Sequence, residues 1–144
     1  MRSLVLIALL AMPVAALAWT EPPRGSDQRA DLMDAIRPMA EWHLGAPVEF
    51  VVNELRVDGG VAFASVTAQR PGGGTIDLID TPAMRRQEID PEIMDGTQIQ
   101  ALFQRSGRQW VPVHFALGAT DVWYSWNEYC PLWGPVLPEF CDNK

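Results

Sequence analysis

Asp58-Gly59-Gly60 stands between two β-rich runs, PVEFVVNELRV and VAFASVTAQRP, and no other stretch constrains the fold as strongly. Glycine pairs between alternating apolar runs specify a tight antiparallel hairpin. Gly59 and Gly60 are both expected to use the positive φ that glycine adopts without steric cost. In the first strand Phe50 and Val52 fit one face while Leu55 and Val57 fit the other, so a bulge near Asn53-Glu54 is needed to bring all four to the same side. In the second strand Val61 and Phe63 oppose Ala62, Ala64 and Val66. IQALFQR and WVPVHFALG form a second hairpin around Ser106-Gly107. Val111, Val113, Phe115 and Leu117 alternate and are expected to face the core, which puts His114 on the opposite face with Trp110 and Pro112. Pro112 has no N–H to donate, so its strand is expected at a sheet edge or a bulge.

Upstream, Ser26 or Asp27 can cap a helix in which Leu32, Ile36, Met39 or Ala40, and His43 or Leu44 recur at helical spacing. Pro38 predicts a kink, or two short helices meeting there. Gly45 and Pro47 stop the pattern. Downstream, TIDLI reads as a short strand, and residues 80–97 as one helical turn and a loop. Helix, hairpin, short strand, irregular segment, hairpin and tail make an α+β chain. One kinked N-terminal helix packs on an antiparallel sheet of four to five strands, with a disulfide-stapled C-terminal aromatic segment.

Residues 1–18 have the anatomy of a secretory signal peptide: Arg2, an apolar run from Leu4 to Ala15, and the small-x-small site Ala16-Leu17-Ala18. The run is shorter than the roughly 20 residues a spanning helix needs. Residues 19–144 are then a single domain, expected in the periplasm or secreted. It carries 10 basic against 18 acidic side chains. That charge disfavours nucleic acid and anionic lipid surfaces as partners, and no membrane anchor is expected. Cys130 and Cys141, an even pair in an exported chain, predict one disulfide.

Chemistry-bearing patterns are sparse. His43 lies on the helix and His114 on the last strand; spacing alone assembles neither into a metal site or a triad. Asp90, Glu92 and Asp95 lack the EF-hand spacing, Gly72-Gly73-Gly74 lacks the lysine of a phosphate loop, and Ser65 and Ser125 lack elbow glycines. No metal or cofactor is expected. The aromatic tail is the densest feature: residues 120–141 hold Trp123, Tyr124, Trp126, Tyr129 and Trp133 with both cysteines. Trp123, Trp126 and Tyr129 are three apart, so a helical turn capped by Thr120 or Asp121 would stack them on one face. Such a stripe is either a contact surface or, the leading expectation, a largely buried lid lying on the helix or the open sheet with its rim left exposed for a ligand.

The segment DLMDAIRPMAEWHLGAPVEFVVNELRVDGGVAFASVTAQRPGG, with GATDVWYSWNEY, resembles small exported bacterial proteins of unassigned function. Their pattern is a Leu-Arg-Pro helix (here Ile36-Arg37-Pro38), a Pro-Val-x-Phe-Val-Val strand, a Gly-x-x-Ala-Phe strand and a Thr-Asp-Val-x-x-x-Trp close. The element order also resembles cystatin-like and NTF2-like wraps of sheet around helix. The leading expectation is a non-enzymatic periplasmic binding or interaction protein. It would contact an unknown periplasmic protein or small ligand through Trp123, Tyr124, Trp126 and Trp133. An NTF2-like small-molecule hydrolase or isomerase, using His43 or His114 with a nearby carboxylate, is the alternative. A protein inhibitor presenting the Cys130–Cys141 loop is a third.

Overall fold

The computed structural model describes residues 19–142, so the signal-peptide segment 1–18 lies outside the described residues. Helix α1 runs over Asp27–Leu44. Strands β1 (Glu49–Asp58) and β2 (Val61–Gln69) form the first hairpin, the turn α2 (Pro82–Arg85) follows, and β3 (Gln98–Ser106) and β4 (Gln109–Leu117) form the second. The sheet is antiparallel with order β1-β2-β3-β4. The expected α+β architecture therefore holds, with four strands.

Ser26 caps α1, its hydroxyl accepting from the Arg29 N–H, and Gly45 (φ 80°) closes it by donating to the Glu41 carbonyl at 2.8 Å. The helix continues through Pro38 and is not split in two. Pro38 and Asp34 are both exposed, so the carbonyl that loses its helical donor belongs to the solvent side of the helix, where hydration costs least. Leu32, Ile36, Ala40 and Leu44 are buried on the inner face of the sheet with Leu55, Val57, Ala62, Ala64, Val66, Ile99, Ala101 and Phe103.

The bulge in β1 lies where the phase change requires it: Val52 pairs with Val66 and Glu54 with Ser65, leaving Asn53 extra. A second bulge lies in β4, beside Pro112. Leu102 pairs with His114 and Phe103 with Pro112, so Val113 is the extra residue of β4. The uniform alternation expected across Val111 to Leu117 is thereby broken. Trp110 packs in the helix-side core, Phe115 and Leu117 pack against it, and Val111 and Val113 are exposed. His114 is on the outer face, opposite to Trp110 and not beside it. Pro112 does lie on an edge strand next to a bulge, as its missing donor demands.

TIDLI is not a strand. Asp77 turns its carboxylate onto the Ile79 N–H at 3.1 Å and initiates a 3-10 turn over Leu78–Asp80. Ile76 and Leu78 still pack on the helix-side core, so the apolar residues serve burial without entering the sheet.

In the first hairpin turn only Gly59 has positive φ, 53°, and the expectation for Gly60 fails. A Cβ on Gly60 would meet only the Cβ of Arg105, at 4.0 Å. Gly59→Ala is therefore expected to destabilise by about 1–2 kcal/mol, the cost of a left-handed residue. Gly60→Ala is expected to stay within about 0.5 kcal/mol. Chemical denaturation of the two variants separates these outcomes.

Candidate functional site

A single helix covers one face of a four-stranded sheet. The other face carries a transverse row formed by pairing: Arg56 opposite Phe63, Phe63 opposite Leu102, and Leu102 opposite His114. The C-terminal segment lies over this row as a flap. Trp123, Trp133, Val136 and Leu137 are buried there with Val61, Phe63 and Leu102.

Each end of the row is engaged by chemistry specific to it. Arg56 donates to the Val136 carbonyl at 3.1 Å and to Glu139 at 2.8 Å, and also binds Glu54. Its guanidinium carbon lies 4.8 Å from the Trp19 ring centroid and 5.9 Å from that of Phe63. The Phe63 ring meets Tyr124 at 4.6 Å. His114 lies 4.9 Å from Tyr129 and 5.5 Å from Trp133. The Trp133 indole donates to the Phe103 carbonyl at 2.8 Å. Phe103 lies opposite Pro112, which has no N–H to offer, so the indole adds a donor at a point where the edge strand has one fewer. Gln100, on the same face, accepts from the Trp123 indole at 3.4 Å.

The flap is not one helical stripe. Trp123–Ser125 is a 3-10 turn entered through Val122 with no side-chain cap, so neither Thr120 nor Asp121 serves that role. The chain turns extended at Trp126 (φ −67°, ψ 145°) before α3 (Cys130–Trp133) begins. Three-residue spacing therefore does not put Trp123, Trp126 and Tyr129 on one face. Trp123 and Trp133 are 7% and 5% exposed, Tyr124 and Tyr129 are half-buried, and Trp126 is 51% exposed. Trp126 stacks on Tyr129, with ring planes 14° apart and centroids 6.2 Å apart. The sheet backs an ordered run of rings from His114 through Tyr129 to Trp126, whose last member faces water.

The Cys130–Cys141 disulfide joins α3 to α4 (Pro138–Cys141), with Cα atoms 5.4 Å apart. Burial first, and then the charge of Glu54, push the Tyr124 hydroxyl pKa up; burial and a hydrogen bond with Glu128 do the same at Tyr129. Both phenols stay neutral hydrogen-bonding groups near pH 7. Glu139 is held below the ordinary carboxylate range, chiefly by its hydrogen bond from Arg56.

The two histidines are on opposite faces. His43 on α1 has Nδ1 3.4 Å from Glu88 and packs against Phe115 at 5.7 Å. Glu88 is gripped by Arg86 at 2.6 and 2.7 Å, and this bond holds its pKa down. Sequence spacing did not single out Arg56, Arg86 or Glu88. Arg56 did carry a signal: an arginine inside an apolar strand on the face that Phe63 shares. Among the described residues no group of three or more metal-ligating side chains is clustered. No described helix is long and apolar enough to cross a membrane.

Comparison with family models, curated proteins and solved structures returned no match.

Two outcomes are expected of the flap. Trp133→Ala should cost about 3–5 kcal/mol, as a core aromatic does. Trp126→Ala should cost no more than about 0.5 kcal/mol. A depressed folded-state pKa at Glu139 means that its pairing stabilises the fold above the unfolded value near 4.3. That contribution is lost as pH falls through the folded value. Glu139→Gln should therefore flatten the fall of Tm below roughly pH 4.5 relative to the parent.

Proposed function

We propose that the protein is an exported binding or interaction protein, with Trp126 at the centre of its contact surface. The observation that carries this reading is the contrast within the flap. Trp123 and Trp133 are buried, whereas Trp126 remains half in water on a fixed stack. Exposed, pre-ordered aromatic area is what recognition surfaces use, because little side-chain entropy is lost on contact. In this reading Trp123 and Trp133 anchor the flap, Tyr124 and Tyr129 support it, and Trp126 meets a periplasmic protein or small ligand. The sheet edges are poor alternatives. Each is bulged, β4 carries Pro112, and the end of β1 is already paired through Thr20 and Val57.

Export rests on the signal-peptide pattern of residues 1–18, and the Cys130–Cys141 disulfide accords with an oxidising compartment. Helix followed by a four-stranded meander accords with the cystatin-like order, and the motifs with the small exported bacterial proteins they resemble. A second reading, an NTF2-like hydrolase or isomerase, draws on the approach of Glu88 to His43.

Intact mass of the exported protein should correspond to a chain beginning at Trp19; an unprocessed chain would overturn the export reading. A photo-cross-linking residue at position 126 should give a discrete adduct in the exported fraction. The same residue at Ile79, which is also exposed, should not. Identical adducts from both positions would remove the case for Trp126.

A further inference from the structure

The face opposite the flap carries a second exposed tryptophan, and it too is held in place. Trp42 near the end of α1 is 63% exposed. The Arg86 guanidinium lies 4.5 Å from its ring centroid, and Arg86 also donates to the Trp42 carbonyl at 3.1 Å. Arg86 grips Glu88 through two bonds, and Glu88 reaches His43. Trp42, Arg86, Glu88 and His43 are thus linked in one chain of contacts, which fixes an indole and an imidazole on adjacent residues of the helix.

Beside this chain is a shallow hollow of about 350 Å³, lined by Pro38, Met39, Trp42, His43 and Phe115. That volume is at the small end of the range for small-molecule sites. Its walls are nearly all carbon; imidazole and indole are the only polar side-chain groups among them. The Nδ1 atom of His43 is shielded from water and turned towards Glu88 without an aligned hydrogen bond. In the neutral ring, a carboxylate facing Nδ1 favours the N–H on that nitrogen, which leaves Nε2 at the other pole as the acceptor.

We propose that this hollow binds a small uncharged aromatic compound bearing one hydroxyl or N–H. Its ring would pack on Trp42 and Phe115, and its donor would be directed at Nε2 of His43. The chemistry restricts the class. Sugars need more polar partners than one imidazole provides. Ions are disfavoured: Arg86 and Glu88 neutralise one another and offer no net charge, and an ion of either sign would lose hydration against apolar walls. The proposal is independent of the reading of Trp126, which concerns the other face of the sheet.

The test is an NMR titration of the exported, processed protein with 4-methylphenol, toluene and benzoate. The hollow is open, so weak binding is expected for 4-methylphenol, with a Kd of roughly 0.1–10 mM. The Trp42 indole proton and the His43 ring protons should shift saturably. Toluene should bind at least about fivefold more weakly, and benzoate without measurable saturation. Trp42→Ala should weaken 4-methylphenol at least tenfold while the buried Trp133 indole resonance stays in place, reporting an intact fold. His43→Phe should abolish the preference for 4-methylphenol over toluene. Absence of saturable shifts, equal affinity for toluene and 4-methylphenol, insensitivity to Trp42→Ala, or shifts confined to Trp126 would each overturn the proposal.

Discussion

A sheet of four strands under one helix leaves a whole face to be covered, and the row Arg56, Phe63, Leu102, His114 decides how. Phe63 and Leu102 give that face an apolar centre that water does not wet favourably. Arg56 adds a stricter condition. Its side chain is largely buried, and a buried cation left without partners is far costlier than one that is paired and hydrogen-bonded. Glu54 is available from the same strand, but Glu139 and the Val136 carbonyl come only from the C-terminal segment. The flap and the arginine therefore require one another. At the other end of the row the rings of Tyr129 and Trp133 close over His114.

Much of this was legible in the residues. Hairpin chemistry at Asp58-Gly59-Gly60 and at Ser106-Gly107, the helix between Ser26 and Gly45, and the bulge at Asn53 all follow from local pattern. So does the disulfide. Local pattern failed where one residue resets the phase. Val113 bulges out of β4, so the alternation from Val111 to Leu117 belongs to no single face. The bulge adjoins Pro112, and the Phe103 carbonyl opposite it accepts from an indole thirty positions away in sequence. No reading of β4 alone contains that partner.

The aromatic flap failed for a related reason. Three-residue spacing implies one face only if a single helix spans it. The chain becomes extended at Trp126, so Trp123 points into the sheet and Trp126 points away. Choosing between lid and contact surface thus posed a false alternative: the segment is a lid by Trp123 and Trp133, and it presents Trp126 because they hold it. TIDLI shows the same limit on a smaller scale. Its apolar residues are buried, but the Asp77 carboxylate captures the backbone before a strand can form.

Hydrogen exchange of the three flap indoles tests the docked flap most directly, because each N–H reports its own environment. The Trp133 proton, bonded to the Phe103 carbonyl, and the Trp123 proton, close to Gln100, should exchange slowly and at rates that follow β3 amides. The Trp126 proton should exchange at nearly the rate of a free indole. Replacing Arg56 with methionine should speed exchange at Trp123 and Trp133 together, and leave the helix-side amides of α1 less affected. Fast exchange at all three indoles in the parent protein would contradict a flap fixed on the sheet.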